Sequence, residues 1–214
     1  MKKISKLDEY LFDLNGYLII NNALNKKELK DLNNILDKLK NIKNDEWAGH
    51  VHGHNYGGKE GLNLQQIYEA GKPFEKLIDH PSWINHMLHF VGGKGTFDHL
   101  HGPLFIDENF ANIRGPGEAI GIHSGNPEGL QRNHYRYQNG KFHCSQVNIL
   151  LALTNIGPGD GGTVIIPSSH KSNIVHPEFK DNKITLKNLL GAKGENNQIT
   201  FPKENLINEI KKFI

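Results

Sequence analysis

The chain has a single cysteine, Cys144, in 214 residues, so no internal disulfide is available to it. A fold that does without bridges fits a reducing compartment, and the cytoplasm is the expected location. Cys144 sits in an apolar stretch with no activating partner and reads as a packed residue, not a nucleophile. Long apolar runs are lacking too. Met1-Lys2-Lys3 is basic, but no run of signal-peptide length follows it, and nowhere do about 18 apolar residues stand in succession, so neither a leader nor a membrane span is expected. Charge of one sign is also missing: 25 basic and 23 acidic residues are interspersed and leave a net charge of +2. Such a balance gives no footprint for nucleic acid or a membrane surface. There is no internal repeat, no low-complexity segment and no dividing linker. With 36% hydrophobic residues, the chain is long enough for one substantial core, and a single domain over 1–214 is expected.

The clearest element present is a helix. Asn25 is an N-cap with Glu28 three residues on, and Leu29, Leu32, Leu36 and Leu39 recur at helical spacing, which predicts a helix to about Lys40. Its apolar stripe calls for a sheet as partner. Pro73 and Pro81 then open two short helical segments, Phe74 to Asp79 and Ser82 to Val91, stopped by Gly92-Gly93-Lys94-Gly95. From Thr96 the texture changes to short apolar runs between Gly and Pro turns: Leu104-Phe105-Ile106, Ala119-Ile120-Gly121-Ile122, Val147 to Leu153 and Val164-Ile165-Ile166. Asn139-Gly140 is a hairpin turn signal between Tyr135-Arg136-Tyr137 and Phe142-His143-Cys144. The fold class expected is mainly β with N-terminal helices: a helical layer over about 1–95, a β-core over about 96–170 and an atypical tail over 171–214. A jelly roll, or double-stranded β-helix, satisfies this order best.

Thirteen histidines invite a metal reading. His50-x-His52-x-His54 would put three imidazoles on one face of a strand, yet the flanking glycines suggest an exposed loop that lids a pocket. His99-Leu100-His101 has the same alternation and could face a cavity or solvent. His80, His86 and His89 fall in or near helices and read as surface residues. His123 differs in its context, Gly121-Ile122-His123-Ser124-Gly125, where a β-like run ends and small residues let the backbone approach a ligand.

That segment, followed by Gly159-Asp160-Gly161-Gly162-Thr163-Val164-Ile165-Ile166-Pro167-Ser168-Ser169-His170-Lys171, resembles the phytanoyl-CoA dioxygenase family. Gly16-Tyr17-Leu18-Ile19-Ile20, a short β-like run, and Asn63-Leu64, Pro73 and Pro81 extend the likeness over nearly the whole chain. The resemblance implies a cupin-like jelly roll and an Fe(II)/2-oxoglutarate-dependent oxygenase of hydroxylase type, with ascorbate as reductant and a small organic molecule as substrate. In such a site two His and one carboxylate hold iron and leave three positions for the 2-oxoacid and O2.

By that resemblance His123 is the first metal ligand, but Gly125 stands where relatives carry the carboxylate. Halogenases of the same broad fold put a small residue there to admit chloride; an inactive site, or a carboxylate from Glu128, are other readings. Arg136 and Thr163 are the candidates for binding 2-oxoglutarate, with Arg132 and Lys171 as further cations. His99, His101, Gly125 and Asn148 are the candidates for the substrate pocket. In relatives the turn around His170 is structural, and the distal His and an Arg or Lys follow it. Here no histidine follows His176 and no arginine follows Arg136. The expectation is therefore a core incomplete at its C-terminal side, a truncated or inactive binding module as the alternative function, and a homodimer through an open sheet edge as the candidate assembly.

Overall fold

The computed structural model describes residues 3–55, 60–91, 102–118, 134–157 and 160–172. Near its start the chain forms a helix beyond those expected, α1 (Lys6–Asn15). Ser5 caps it by accepting from the Asp8 amide, and the Asp8 side chain accepts from Ser5 in return. Gly16 ends it in the left-handed region at φ 82°, its N–H donating to the Phe12 carbonyl at 2.8 Å. The expected β-like run at Gly16–Ile20 is not a strand: it has no ladder, and Ile19 is exposed.

Helix α2 (Lys26–Leu39) matches its prediction from cap to end, with Asn25 and Glu28 bonded reciprocally at 3.0 and 2.8 Å. Its partner is a four-stranded antiparallel sheet of β1 (Trp47–Ala48), β2 (Val51–His54), β3 (Leu62–Gln65) and β4 (Phe110–Ile113), in the order β1-β2-β3-β4. Leu32 of α2, Val51, Leu64, Ile67 and Phe74 form an aliphatic-rich cluster, with Leu62, Ala111 and Ile113 packed against it. Helix α3 (Lys72–Glu75) begins one residue before Pro73 and stops short of the expected Asp79, and α4 (Ile84–Val91) begins three residues after Pro81, within the second expected segment.

Strands β1 to β3 stand inside the stretch read as a helical layer. They are short and rich in His, Asn and Gly, so intrinsic strand preference hides them; β1 pairs β2 and β2 pairs β3 close in sequence, and β3 then pairs β4, 45 or more residues away. The hairpin at Asn139-Gly140 is present as β5 (Tyr137–Gln138) and β6 (Lys141–Phe142), and both turn residues have positive φ, 53° and 74°, as a tight primed turn requires. Three other expected runs carry no strand. Leu104-Phe105-Ile106 and Val164-Ile165-Ile166 are largely exposed, while Val147 to Leu153 has no ladder and sends Leu151 and Leu153 into the aliphatic cluster. Ala119 to Ile122 lies outside the described residues.

A second cluster, aromatic, joins α1 to α4 and the hairpin. Phe12 stacks on Phe90 with ring centroids 3.8 Å apart, and Phe142 meets both edge-on, with buried Cys144 beside them. Burial pushes the Cys144 thiol up to about 11, which keeps it protonated and inert, as its packing suggested. Among the described residues no helix is long and apolar enough to cross a membrane.

Candidate functional site on the polar sheet face

Side chains alternate across a pleated strand, so the pairing register sorts this sheet into two faces. One face carries Val51, Leu62, Leu64, Ala111 and Ile113 into the aliphatic cluster. The opposite face carries two rows. The first runs Trp47, His52, Gln65, Phe110 across the four strands, and the second runs His54, Asn63, Asn112. Imidazole and carboxamide groups thus occupy a surface whose back is fixed by apolar packing.

The first row begins with Trp47 stacked on His52, centroids 4.5 Å apart, and His52 Nε2 lies 3.8 Å from the Asp45 carboxylate. The rings of His52 and His54 are 5.9 Å apart. His50 does not join them: it occupies the two-residue turn between β1 and β2 next to Gly49 at φ 63°. The expected exposed loop of three histidines is therefore a turn followed by a central strand with two half-buried histidines. In the second row Asn112 Nδ2 donates to Asn63 Oδ1 at 2.7 Å and to the Glu60 carbonyl at 3.4 Å. Asn63 is 1% exposed and its Nδ2 has no hydrogen-bond partner. Buried amides are nearly always paired, so this one is the chemically open point of the face. The sequence carries a usable signal for it: Leu62-Asn63-Leu64-Gln65 alternates apolar and polar at the strand period.

The residues singled out in the sequence are dispersed. His99, His101, His123, Gly125, Glu128 and Arg132 lie outside the described residues. Arg136 is exposed beside β5, its carbonyl accepting from His143 N–H at 2.8 Å, and Asn148 and Thr163 are exposed. His80 and His86, read as surface residues, are buried at 7% and 4% exposure. His80 stacks on Trp83 and its Nε2 lies 3.4 Å from Glu28, so an aromatic neighbour and the cap of α2 supply the shelter that helix position alone does not reveal.

His170 is a structural residue, as the turn reading of it anticipated. Its Nε2 contacts the Asp13 carbonyl at 3.1 Å, its ring meets Tyr135 edge-on at 4.6 Å, and a Cβ on Gly16 would fall 2.3 Å from its Nδ1. Ser168 donates through its hydroxyl to Leu14 O at 2.6 Å, and Tyr135 donates to Asp13, whose carboxylate also lies 3.5 Å from Lys171 Nζ. Burial and the Asp13 carboxylate hold the Tyr135 hydroxyl protonated. These contacts clasp the end of α1 to the Pro167-Ser168-Ser169-His170-Lys171 turn. With Nε2 held at a backbone carbonyl and Nδ1 buried against Gly16, the ring has no nitrogen facing an open position for iron. Among the described residues no group of three His, Cys, Asp or Glu is placed to hold a metal.

The fold around this face is of a recognisable class: antiparallel sheets with a few helices, in a chain whose family implies a cupin-like fold. The model of the phytanoyl-CoA dioxygenase (PhyH) family matches residues 12–200, and the chain belongs to that family. Members of the family are Fe(II)/2-oxoglutarate-dependent oxygenases that act on small molecules. A second likeness is short. Over 37 residues the chain is 92% identical to the histidine–tRNA ligase of Pelagibacter ubique (strain HTCC1062), which covers 17% of this chain and 8% of that protein. Residues 1–11 and 201–214 are each shorter than that segment, so it overlaps the family match. No solved structure matches the chain.

Proposed function

We propose that the chain is a single-domain Fe(II)/2-oxoglutarate-dependent oxygenase of hydroxylase type, soluble and cytoplasmic, acting on a small organic substrate within a jelly-roll core. The family match across 12–200 carries this reading. His123 is the proposed metal ligand. Arg136 and Thr163 are proposed to bind 2-oxoglutarate, the guanidinium because its planar fork suits a carboxylate. His99, His101, Gly125 and Asn148 are proposed to line the substrate pocket. Bound iron would supply O2 activation coupled to decarboxylation of the 2-oxoacid. A likeness over 8% of a synthetase's length supports no aminoacylation here.

The second reading, a catalytically silent member that binds a small molecule, is favoured by Gly125 at the carboxylate position. Iron affinity depends on ligand number and geometry, so a site short of its carboxylate retains less metal. One assay separates the two. The purified chain is given Fe(II), ascorbate and 2-oxoglutarate, and succinate is measured. The oxygenase reading expects succinate above a metal-free blank that disappears in His123→Ala and falls in Arg136→Ala. Folded protein that forms none, and that retains Fe(II) in anaerobic titration no better than His123→Ala, overturns it in favour of the silent member.

A further inference from the structure

We propose that the polar face of the sheet is a carboxylate-binding site whose central donor is the side-chain amide of Asn63. The orientation of that amide is fixed by its neighbour. Asn112 Nδ2 spends its hydrogens on Asn63 Oδ1 at 2.7 Å and the Glu60 carbonyl at 3.4 Å. Turning Asn63 over would set two NH2 groups against each other, so its oxygen faces Asn112 and its Nδ2 faces away. That nitrogen is buried with no partner, in a residue 1% exposed. A leucine there would avoid the cost of an unmade hydrogen bond, and an asparagine in its place marks a position where an acceptor is expected.

The acceptor is a carboxylate because of what surrounds the donor. The two rows of the face hold His52, His54, Gln65, Asn63 and Asn112 between Trp47 and Phe110, and the carboxylate at their edge, Asp45, lies against His52 Nε2 at 3.8 Å rather than against Asn63. Carboxylate oxygens only accept, and a charged acceptor forms the stronger bond. The aromatic residues at the two ends of the first row give apolar ground for the rest of the ligand. The proposal rests on the reading of the chain as one that takes a 2-oxoacid and a small organic substrate, and it names the chemistry those two ligands share.

The test uses the full chain, 15N-labelled and stripped of metal, at constant ionic strength. The side-chain NH2 signals of Asn63 are assigned by their loss in Asn63→Asp and followed during titration with 2-oxoglutarate, propionate and propionamide. A saturable shift with at least one of the two carboxylates, about tenfold or more tighter than with neutral propionamide, supports the proposal. A response to 2-oxoglutarate alone assigns the face to the cosubstrate, and a response to propionate assigns it to the organic substrate. No shift, or equal affinity for propionamide, overturns it. Asn112→Asp gives a second arm that leaves Asn63 in place. An aspartate cannot donate, so Asn63 must turn its NH2 onto the new carboxylate, and ligand affinity should fall about tenfold or more with the melting transition retained. Unchanged affinity in folded Asn112→Asp also overturns the proposal. Binding is read without iron, so its failure is separable from failure of the succinate assay.

Discussion

The aliphatic cluster beneath α2 and the aromatic cluster between α1 and α4 reach burial by different routes. In the first, the buried residues Leu32, Val51, Leu64, Ile67 and Phe74 come from elements close in sequence, and Ala111, Ile113, Leu151 and Leu153 add to them from farther along the chain. In the second, Phe12 and Phe90 meet Phe142 from the far hairpin, and the polar clasp around it joins residues more than 120 positions apart, Asp13 with Tyr135 and His170. The buried centre of the first region is gathered within residues 32–74. The second exists only once distant parts of the chain have met, so its order depends on closing long loops.

Truncation of each centre measures that contrast. Phe90→Ala removes a ring 1% exposed that stacks on Phe12, and a loss of about 3–5 kcal/mol is expected. Leu32→Ala, also 1% exposed, should cost about 2–5 kcal/mol. Segment 147–153 touches both clusters, through Val147 on one side and Leu151 and Leu153 on the other. Denaturant unfolding should therefore stay a single transition in both variants. Two separated transitions in Phe90→Ala would show instead that the clusters unfold independently.

The same contrast explains what the sequence made legible. Helix α2, the proline start at Pro73, and the Asn139-Gly140 turn are written in residues within a few positions of one another, and all are present. The sheet was hidden because β2 reads Val51-His52-Gly53-His54, a composition poor in strand formers that becomes a strand by pairing with β1 and β3. The burial of His80 was hidden for a similar reason, since Trp83 and Glu28 reach it from two different elements. Of the candidate site, the sequence picked out the histidines of β2 but gave Asn63 no chemical role, although the alternation around it carries the information. Val164-Ile165-Ile166 shows the reverse error, since apolar content alone does not supply a partner strand.

The clasp itself can be broken from either side. Gly16 sits at φ 82°, and an added Cβ would lie 2.3 Å from His170 Nδ1, so Gly16→Ala combines left-handed strain with displacement of the ring. A loss of about 2 kcal/mol is expected, of which about 1 belongs to the backbone alone. The double mutant with His170→Ala isolates the remainder: the glycine substitution should cost only the backbone share once the ring is gone. Equal costs in both backgrounds would mean the turn at 168–171 moves aside freely.

Caps test the local side. Ser5→Ala and Asn25→Ala each remove an oxygen that accepts a helix amide at 3.0 Å, and each should cost about 1 kcal/mol. The effect ought to spread differently. Helix α2 is anchored along Leu32, Ile35, Leu36 and Leu39, so amide exchange should quicken only in its first turn. Helix α1 has Phe12 as its one buried residue, and its exchange should quicken throughout. Confinement of the Ser5→Ala effect to one turn would show that the clasp, not the cap, holds α1.

The smallest expected effect is a pH dependence that the clasp has and the aliphatic cluster lacks. Burial lowers the pKa of His170 below 6.5, against the opposing pull of the Asp13 carbonyl; nearby Lys171 lowers it further and the Asp13 charge raises it. The neutral ring places its Nε2 at the Asp13 carbonyl, whereas a second proton would sit on Nδ1, which is buried without a partner. The folded state thus binds this proton less readily than the unfolded chain does. Stability from the neutral ring is fully present above about pH 6.5 and is lost as pH falls from there through the folded value. Glu9 and Glu28, whose pKa values are lowered from 4.5 chiefly by the Lys6 ammonium and the Asn25 amide, contribute a separate loss at more acid pH. His170→Gln keeps an amide donor for Asp13 but cannot titrate. The melting temperature of the wild type relative to this variant should therefore fall between about pH 7.5 and 5.5, and parallel curves across that range would show that His170 keeps an ordinary pKa and that the clasp is insensitive to its protonation.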